Sequence, residues 1–281
     1  MGRGDRQLDL FGETPEPKRL PAPEAERLER EHAEAAAIAA RLPPGVRFGT
    51  SSWSFPDWAG LVYPRVATVS ELAREGLRDY ARHPLLTTVG IDRSYYAPIP
   101  AADLTRYADQ LPSGFPCCAK APEAVTSAVR PGPGDFAAKL ERFLAALPRD
   151  FSYAVELRDH KLLTREYRDA LAAHGAAHVY NYVTAMPMPG EQAKAIPVNA
   201  APFAVIRLLL RPGTTYGERR DEIMPFNRLT DRNDDMRRQV VSLARMAVDA
   251  GIPVSVLVNN KAEGCSPLTI RALAEMLGSG A

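Results

Sequence analysis

Short apolar runs alternate with amphipathic stretches along most of the chain. Runs suited to buried strands fall at residues 46–53 (VRFGTSSW), 85–92 (LLTTVGID), 116–122 (PCCAKAP), 152–159 (SYAVELRD), 176–183 (AAHVYNYV), 203–210 (FAVIRLLL) and 253–260 (PVSVLVNN). Between them, apolar residues recur at helical spacing in 69–83, 102–111, 135–148, 165–175, 235–251 and 267–278. Strand and helix in alternation, with strands apolar on both faces, predict a parallel sheet covered by helices. The α/β class follows, with a TIM-type (β/α) barrel as the nearest common architecture. The pattern supplies seven strands rather than eight. A doubly wound sheet is the alternative, but no Gly-x-Gly-x-x-Gly follows any strand.

The first residues follow a different pattern. Residues 1–23 are rich in Pro, Glu and Arg and read as a mobile tail. Residues 24–41 are Ala-rich with Glu and Arg at helical spacing, and LPPG ends that helix, so 24–45 reads as a helix and linker. The barrel domain is then 46–281. Two connections, 184–202 and 211–234, carry no clear period and read as long structureless loops, of the kind associated with function or mobility.

The 281 residues carry a formal net charge of +1, so no overall field draws the chain to nucleic acid or acidic lipid. The three cysteines, Cys117, Cys118 and Cys265, form no Cys-x-x-Cys pair and read as reduced thiols. With no signal-like apolar core, these features predict a cytoplasmic protein. The five histidines lack metal-ligand spacing, so no metal site is expected, and no cofactor motif is evident.

In a barrel of this kind chemistry sits where strands end. Asp92, Lys120, Glu156, Arg158, Asn181, Arg207, Asn259 and Asn260 all fall there, with Trp53, Tyr95 and Tyr96 nearby. Glu156 and Arg158 are two apart on a strand and share a face, and burial under helices would be costly, so the barrel interior or mouth is expected. They form either a structural ion pair or a held acid/base group. Lys120 is either a Schiff-base or general-base lysine or the partner of Glu156 or Asp92. Glu156, Lys120 and Asp92 are thus the catalytic candidates. Arg158 and Arg207, with Lys120, suit a phosphate or carboxylate. Trp53, Tyr95, Asn181, Asn259 and Asn260 complete the candidate binding set, the aromatic rings either stacking on a ligand or packing in the core.

Taken together, RFGTSSWSFPDWAGLVYP, VGIDRSYYAPIP, CCAKAPEAVT, FSYAVELRDH and VSVLVNNKAEG resemble the YecE-like family, domain of unknown function 72, over residues 46–278. The resemblance implies a TIM-type barrel and places Trp53, Asp92, Tyr95, Lys120, Glu156, Arg158, Arg207, Asn259 and Asn260 at the site. It implies no settled activity. This chain departs from the family at one place: the helix and the strand expected between the KAP and AVELR motifs are missing. A parallel barrel without its fourth strand must close around seven or leave unpaired edges, filled by the tail, by helix 24–41 or by another chain.

Gln7-Leu8-Asp9-Leu10-Phe11, in the tail, resembles the bacterial sliding-clamp binding motif. That resemblance implies recruitment to DNA replication or repair, with nucleic acid reached through the clamp. The competing destination is the chain's own barrel. Two further readings of the barrel stand beside recruitment: a hydrolase, lyase or isomerase acting on an anionic substrate with Glu156 as acid/base, or a non-catalytic scaffold.

Overall fold

The computed structural model describes residues 18–126 and 133–279. In chain order the strands are β1 (Lys18–Arg19), β2 (Val46–Thr50), β3 (Arg65–Val66), β4 (Thr88–Ile91), β5 (Cys117–Ala119), β6 (Ala154–Val155), β7 (Ala177–Tyr182), β8 (Ala204–Leu208) and β9 (Val254–Val258). The helices are α1 (Ala22–Ala39), α2 (Val69–Glu75), α3 (Leu77–Tyr80), α4 (Ala101–Ala108), α5 (Glu123–Thr126), α6 (Pro133–Ala146), α7 (Arg165–Ala173), α8 (Pro189–Ala195), α9 (Tyr216–Ile223), α10 (Asp234–Asp249) and α11 (Ser266–Gly278). β1 and β3 make a small antiparallel ribbon. The other strands form one parallel, curled, seven-stranded sheet in the order β5-β4-β2-β9-β8-β7-β6.

This order is that of a barrel interrupted at one place. β2 lies between β4 and β9, so the first and last barrel strands are joined as in a closed (β/α) barrel. The sheet opens between β5 and β6, the position of the absent strand. The connection across the gap holds α5 and α6 and, among the described residues, no strand. Cys117, Ala119 and Ala154 at the two lips are exposed. Helix α1 does not fill the gap, one of the three occupants considered for it. It packs along α11, burying Leu28, Ala35 and Ile38. Arg271 of α11 reaches Glu31 at 2.6 Å and also Glu34. The tail residues 1–17, with the Gln7–Phe11 pentapeptide, lie outside the described residues.

Outward-facing strand residues such as Phe48, Val89, Tyr180, Ile206, Val256 and Val258 form the main core with the helices. A second cluster, around Leu140, Leu144, Leu157, Tyr167 and Leu171, packs α6 and α7 against the β6 side. Alternation sends the other residues inward. Asn181 and Arg207 are cross-strand partners on that inner face, as are Gly90 and Cys118. At Gly49 and Gly90 the strands approach so closely that a Cβ would lie 2.1 Å from the Thr88 carbonyl oxygen and 2.9 Å from Ser51 Cα, respectively. Only glycine fits either position.

Two expectations need correction. The helix expected over 69–83 is divided at Gly76 into α2 and α3. Thr68 and Glu71 cap α2 reciprocally, fixing its start. The long connections are not structureless. α8 lies in 184–202 and α9 in 211–234. Neither shows much apolar periodicity because each is held by polar anchors: Gln192 for α8, and the fully buried Arg219 for α9, whose Nε donates to the Lys261 carbonyl at 3.3 Å.

Candidate functional site

The mouth is built from strand ends tied together by short-range bonds. A 3-10 turn, Asp92–Tyr95, follows β4 directly. In it the Ser94 hydroxyl lies 2.7 Å from the Ile91 carbonyl and 2.8 Å from the Lys120 carbonyl, which fixes the ends of β4 and β5 beside each other. Asp92 and Lys120 are thereby neighbours. On the far side of the gap β6 is only two residues long, so its continuation depends on side chains. Asn181 Nδ2 donates to the carbonyl of Leu157, between Glu156 and Arg158, at 2.7 Å. Tyr167 places its hydroxyl 3.3 Å from the Val155 carbonyl.

Behind Asn181 lies a buried polar network. Gln192 accepts from the Asn181 amide at 3.1 Å and donates to the Asn181 carbonyl at 2.7 Å. His178 Nε2 is 3.1 Å from Gln192 Oε1, and its Nδ1 is 2.9 Å from the Tyr167 hydroxyl. Burial lowers the His178 pKa to about 4, so the ring is neutral near pH 7. Gln192 uses its amide nitrogen on carbonyls, so its oxygen accepts from His178 Nε2–H and leaves Nδ1 as an acceptor that shares the single Tyr167 hydroxyl proton with the more distant Val155 carbonyl. Sequence reasoning missed Tyr167, His178 and Gln192, because two of the three sit on helices without any motif.

Arg207, from β8, reaches across the inner face to the ends of β4 and β6, on the two sides of the gap. One terminal nitrogen lies 3.0 and 3.2 Å from the two Asp92 oxygens, and the other meets Glu156 Oε2. Arg158 bonds Glu156 Oε1 at 2.5 Å, and Lys120 Nζ is 3.4 Å from Asp92 Oδ2. The result is an alternating chain, Lys120–Asp92–Arg207–Glu156–Arg158. Its central guanidinium is 8% exposed, while the terminal cations are 31% and 53% exposed. Lys120 Nζ also sits 5.4 Å from the Tyr95 ring centroid, with Tyr96 edge-on to Tyr95.

Electrostatics divide the two ends of the chain. Burial alone would raise the Glu156 pKa, but Arg207 and then Arg158 outweigh it, and the carboxyl lies below its ordinary value. Glu156 is therefore ionised near pH 7, and the same cations that keep it ionised make it a weaker base than a free carboxylate. Lys120 moves down, through burial and then the Arg207 cation, with Asp92 opposing. Its neutral amine is correspondingly more accessible.

The remaining candidates divide by position. Trp53 is in the core, its Nε1 donating to the Leu72 carbonyl at 2.8 Å and its ring edge-on to Tyr107. Asn181 is fully buried and supports the Glu156–Arg158 segment. Asn259 caps a 3-10 turn, accepting from Lys261 N at 3.0 Å. Asn260 is buried under α11, where its Oδ1 accepts from Ser266 N at 2.7 Å. The structure thus brings together Asp92, Tyr95, Lys120, Glu156, Arg158 and Arg207, and leaves Trp53, Asn259 and Asn260 in supporting positions. Among the described residues no three or more His, Cys, Asp or Glu side chains are grouped to hold a metal ion. Two small hollows lie elsewhere, beside His178 and beside His83, and at about 10 Å³ each has room for little more than a water.

A second charged pair escaped the sequence reading. Arg237 of α10 and Glu263 are almost fully buried and bidentate, at 2.7 to 3.0 Å, and Glu263 also accepts from Asn233 N at 2.7 Å. The signal for it was present, since Arg237 lies on the apolar stripe of α10 with Val240, Val241 and Ala244.

The family model for the protein of unknown function DUF72 matches residues 47–135 and 130–281. Two solved structures share the fold. A DUF72 family protein of Enterococcus faecalis V583 has a TM-score of 0.58 and 13% identity, covering 83% of this chain and 97% of that one. A DUF72 family protein of Thermotoga maritima MSB8 has a TM-score of 0.54 and 20% identity, covering 83% and 98%. No curated protein matches the chain. With both matched segments running through the barrel and the site residues on its strand ends, this chain belongs to the DUF72 family.

Proposed function

We propose that the barrel mouth binds a small anionic substrate and acts on it as a hydrolase, lyase or isomerase, with Glu156 as the base. One observation carries this reading. The charge chain ends in two accessible cations, Lys120 and Arg158, while its carboxylates are already held by Arg207. Three cations against two carboxylates leave the mouth net positive. Ordinary structural ion pairs do not need their outer charges exposed at a strand-end mouth. The test is calorimetric titration with phosphate and with malonate, in the wild type and in Arg158→Ala. Binding of either anion, weakened in the variant and by added salt, is expected. Absence of binding by both anions would overturn the reading.

A second reading rests on a different observation, the pentapeptide Gln7-Leu8-Asp9-Leu10-Phe11. It assigns the tail to a bacterial sliding clamp, with Leu8, Leu10 and Phe11 filling an apolar pocket and Gln7 giving direction. Recruitment by a clamp would raise the local concentration of a near-neutral barrel at DNA. Binding of the full chain to the clamp, abolished by Phe11→Ala, is expected; equal binding by both would sink it.

A further inference from the structure

We propose that Lys120 is an amine nucleophile that condenses with the carbonyl group of a small 2-oxo acid whose carboxylate is held by Arg158. The proposal rests on the anion-binding reading of the mouth and adds a bond-forming step to it. The geometry supports it on four counts. The Lys120 amine is at a strand end, about one-third exposed, and so open to a ligand. Its partner Asp92 is 3.4 Å away, a distance that leaves the ammonium loosely held, and Arg207 takes both Asp92 oxygens. The Tyr95 ring covers one side of the amine and gives it an apolar wall. Arg158 joins the same cluster from the opposite lip through Glu156, and its half-exposed guanidinium keeps N–H groups beyond that pair for a carboxylate. Burial and the Arg207 cation both favour the neutral amine, the form that attacks.

The step balances without any further reagent. The Lys120 ammonium gives one proton to Asp92. The freed lone pair on Nζ forms the C–N bond, and the carbonyl π pair moves to oxygen. A second proton passes from nitrogen to that oxygen, and Asp92 returns the first to the hydroxyl, which leaves as water. The sum is ammonium plus ketone giving protonated imine plus water. The carboxylate of the 2-oxo acid stays on Arg158 throughout, and Glu156 remains bonded to Arg207.

The test uses the full chain at pH 7 with glyoxylate or pyruvate and cyanoborohydride, which reduces an imine to a stable amine. Adducts are then located by peptide mass spectrometry. The expected result is modification of Lys120 at least about tenfold faster than of the exposed Lys139, Lys161 and Lys194. Lactate, which has the carboxylate but no carbonyl, should slow it by competition. Arg158→Ala should slow it several-fold and leave the other lysines unchanged. No adduct on Lys120, or equal rates at all four lysines, overturns the proposal, and because the mapping is done on the wild type it does not depend on a variant folding. Lactate or malonate binding without a Lys120 adduct overturns the nucleophile alone. Absence of anion binding overturns the underlying reading instead.

Discussion

Arg207 and Asp92, 115 residues apart in the chain, are joined by a guanidinium nitrogen 3.0 and 3.2 Å from the two carboxylate oxygens. The other arm of the same guanidinium holds Glu156, on the opposite lip of the open sheet. Arg207 thus links through side chains the ends of β4 and β6, which lie on the two sides of the gap and are not paired with each other. A planar fork can do this, and a single ammonium cannot. Arg207→Met should cost about 3 kcal/mol in urea denaturation, because it leaves two partly buried carboxylates with only the more exposed Lys120 and Arg158 as counter-charges. Arg207→Lys should recover only part of that loss. In Arg207→Met the Glu156 pKa, held below its ordinary value mainly by this arginine against the effect of burial, should move upward, as read by carboxyl titration in NMR. A Lys variant as stable as the wild type would show that the bridging geometry does not matter.

The buried histidines predict a particular acid sensitivity. Burial is the leading cause for both: His178 falls to about 4 and His83 to about 3, from 6.5. His83 faces His32 edge-on at 5.0 Å between ring centroids, with Arg271 adding further positive charge. Between these values and 6.5 the unfolded chain binds more protons than the folded one. The neutral-ring contribution is therefore complete above pH 6.5 and is lost as pH falls toward 4. The expected slope is about 1.4 kcal/mol per pH unit for each histidine. Urea midpoints at pH 7, 6 and 5 would measure it. His178→Gln and His83→Gln should each flatten the slope by one proton's worth, and an unchanged slope in both would refute the assignment.

Glu263 and Arg237 give the sharpest stability prediction. Glu263 is fully buried and accepts from Arg237 and from the Asn233 amide. Glu263→Gln leaves an uncompensated buried guanidinium, a change that typically costs about 3–5 kcal/mol. Glu263 also accepts through its backbone from Thr230 at 2.9 Å, so the loss should loosen residues 211–234 first. Proteolysis of that segment at low protease concentration would report it. A variant within about 1 kcal/mol of the wild type would mean that the pair is replaceable by a neutral hydrogen bond.

The barrel strands were legible in the sequence because parallel strands buried on both faces read as continuous apolar runs. The position of the break was legible too, since the motifs on either side of it kept their order. Asp92, Lys120, Glu156, Arg158 and Arg207 could be found because charged residues stand out at the ends of such runs. Which of them would meet was not legible, because the contacts join strands far apart in sequence. Trp53 and Asn260 illustrate the converse: each is next to a strand end, yet a single backbone bond, to the Leu72 carbonyl or from the Ser266 amide, places it in the interior. α8 and α9 were missed because their anchors are buried polar groups, Gln192 and Arg219, which no apolar period reveals.

The open side of the sheet sets the last prediction. Among the described residues β5 pairs only with β4, and β6 only with β7, each leaving one row of backbone groups without a strand partner there. Exposed strand edges of this kind are templates for further pairing. β2 and β9, by contrast, are paired on both sides and share five aligned residues. In the isolated monomer, hydrogen exchange at Cys117–Ala119 and Ala154–Val155 should therefore be several orders of magnitude faster than at Val254–Val258, since edge amides open without unfolding the sheet. Equal protection would mean that the edges are covered in solution. Repeating the measurement after dilution and on a chain lacking residues 1–17 separates the two sources of cover. Protection lost on dilution would assign it to a second copy, and protection lost on truncation would assign it to the chain's own first residues.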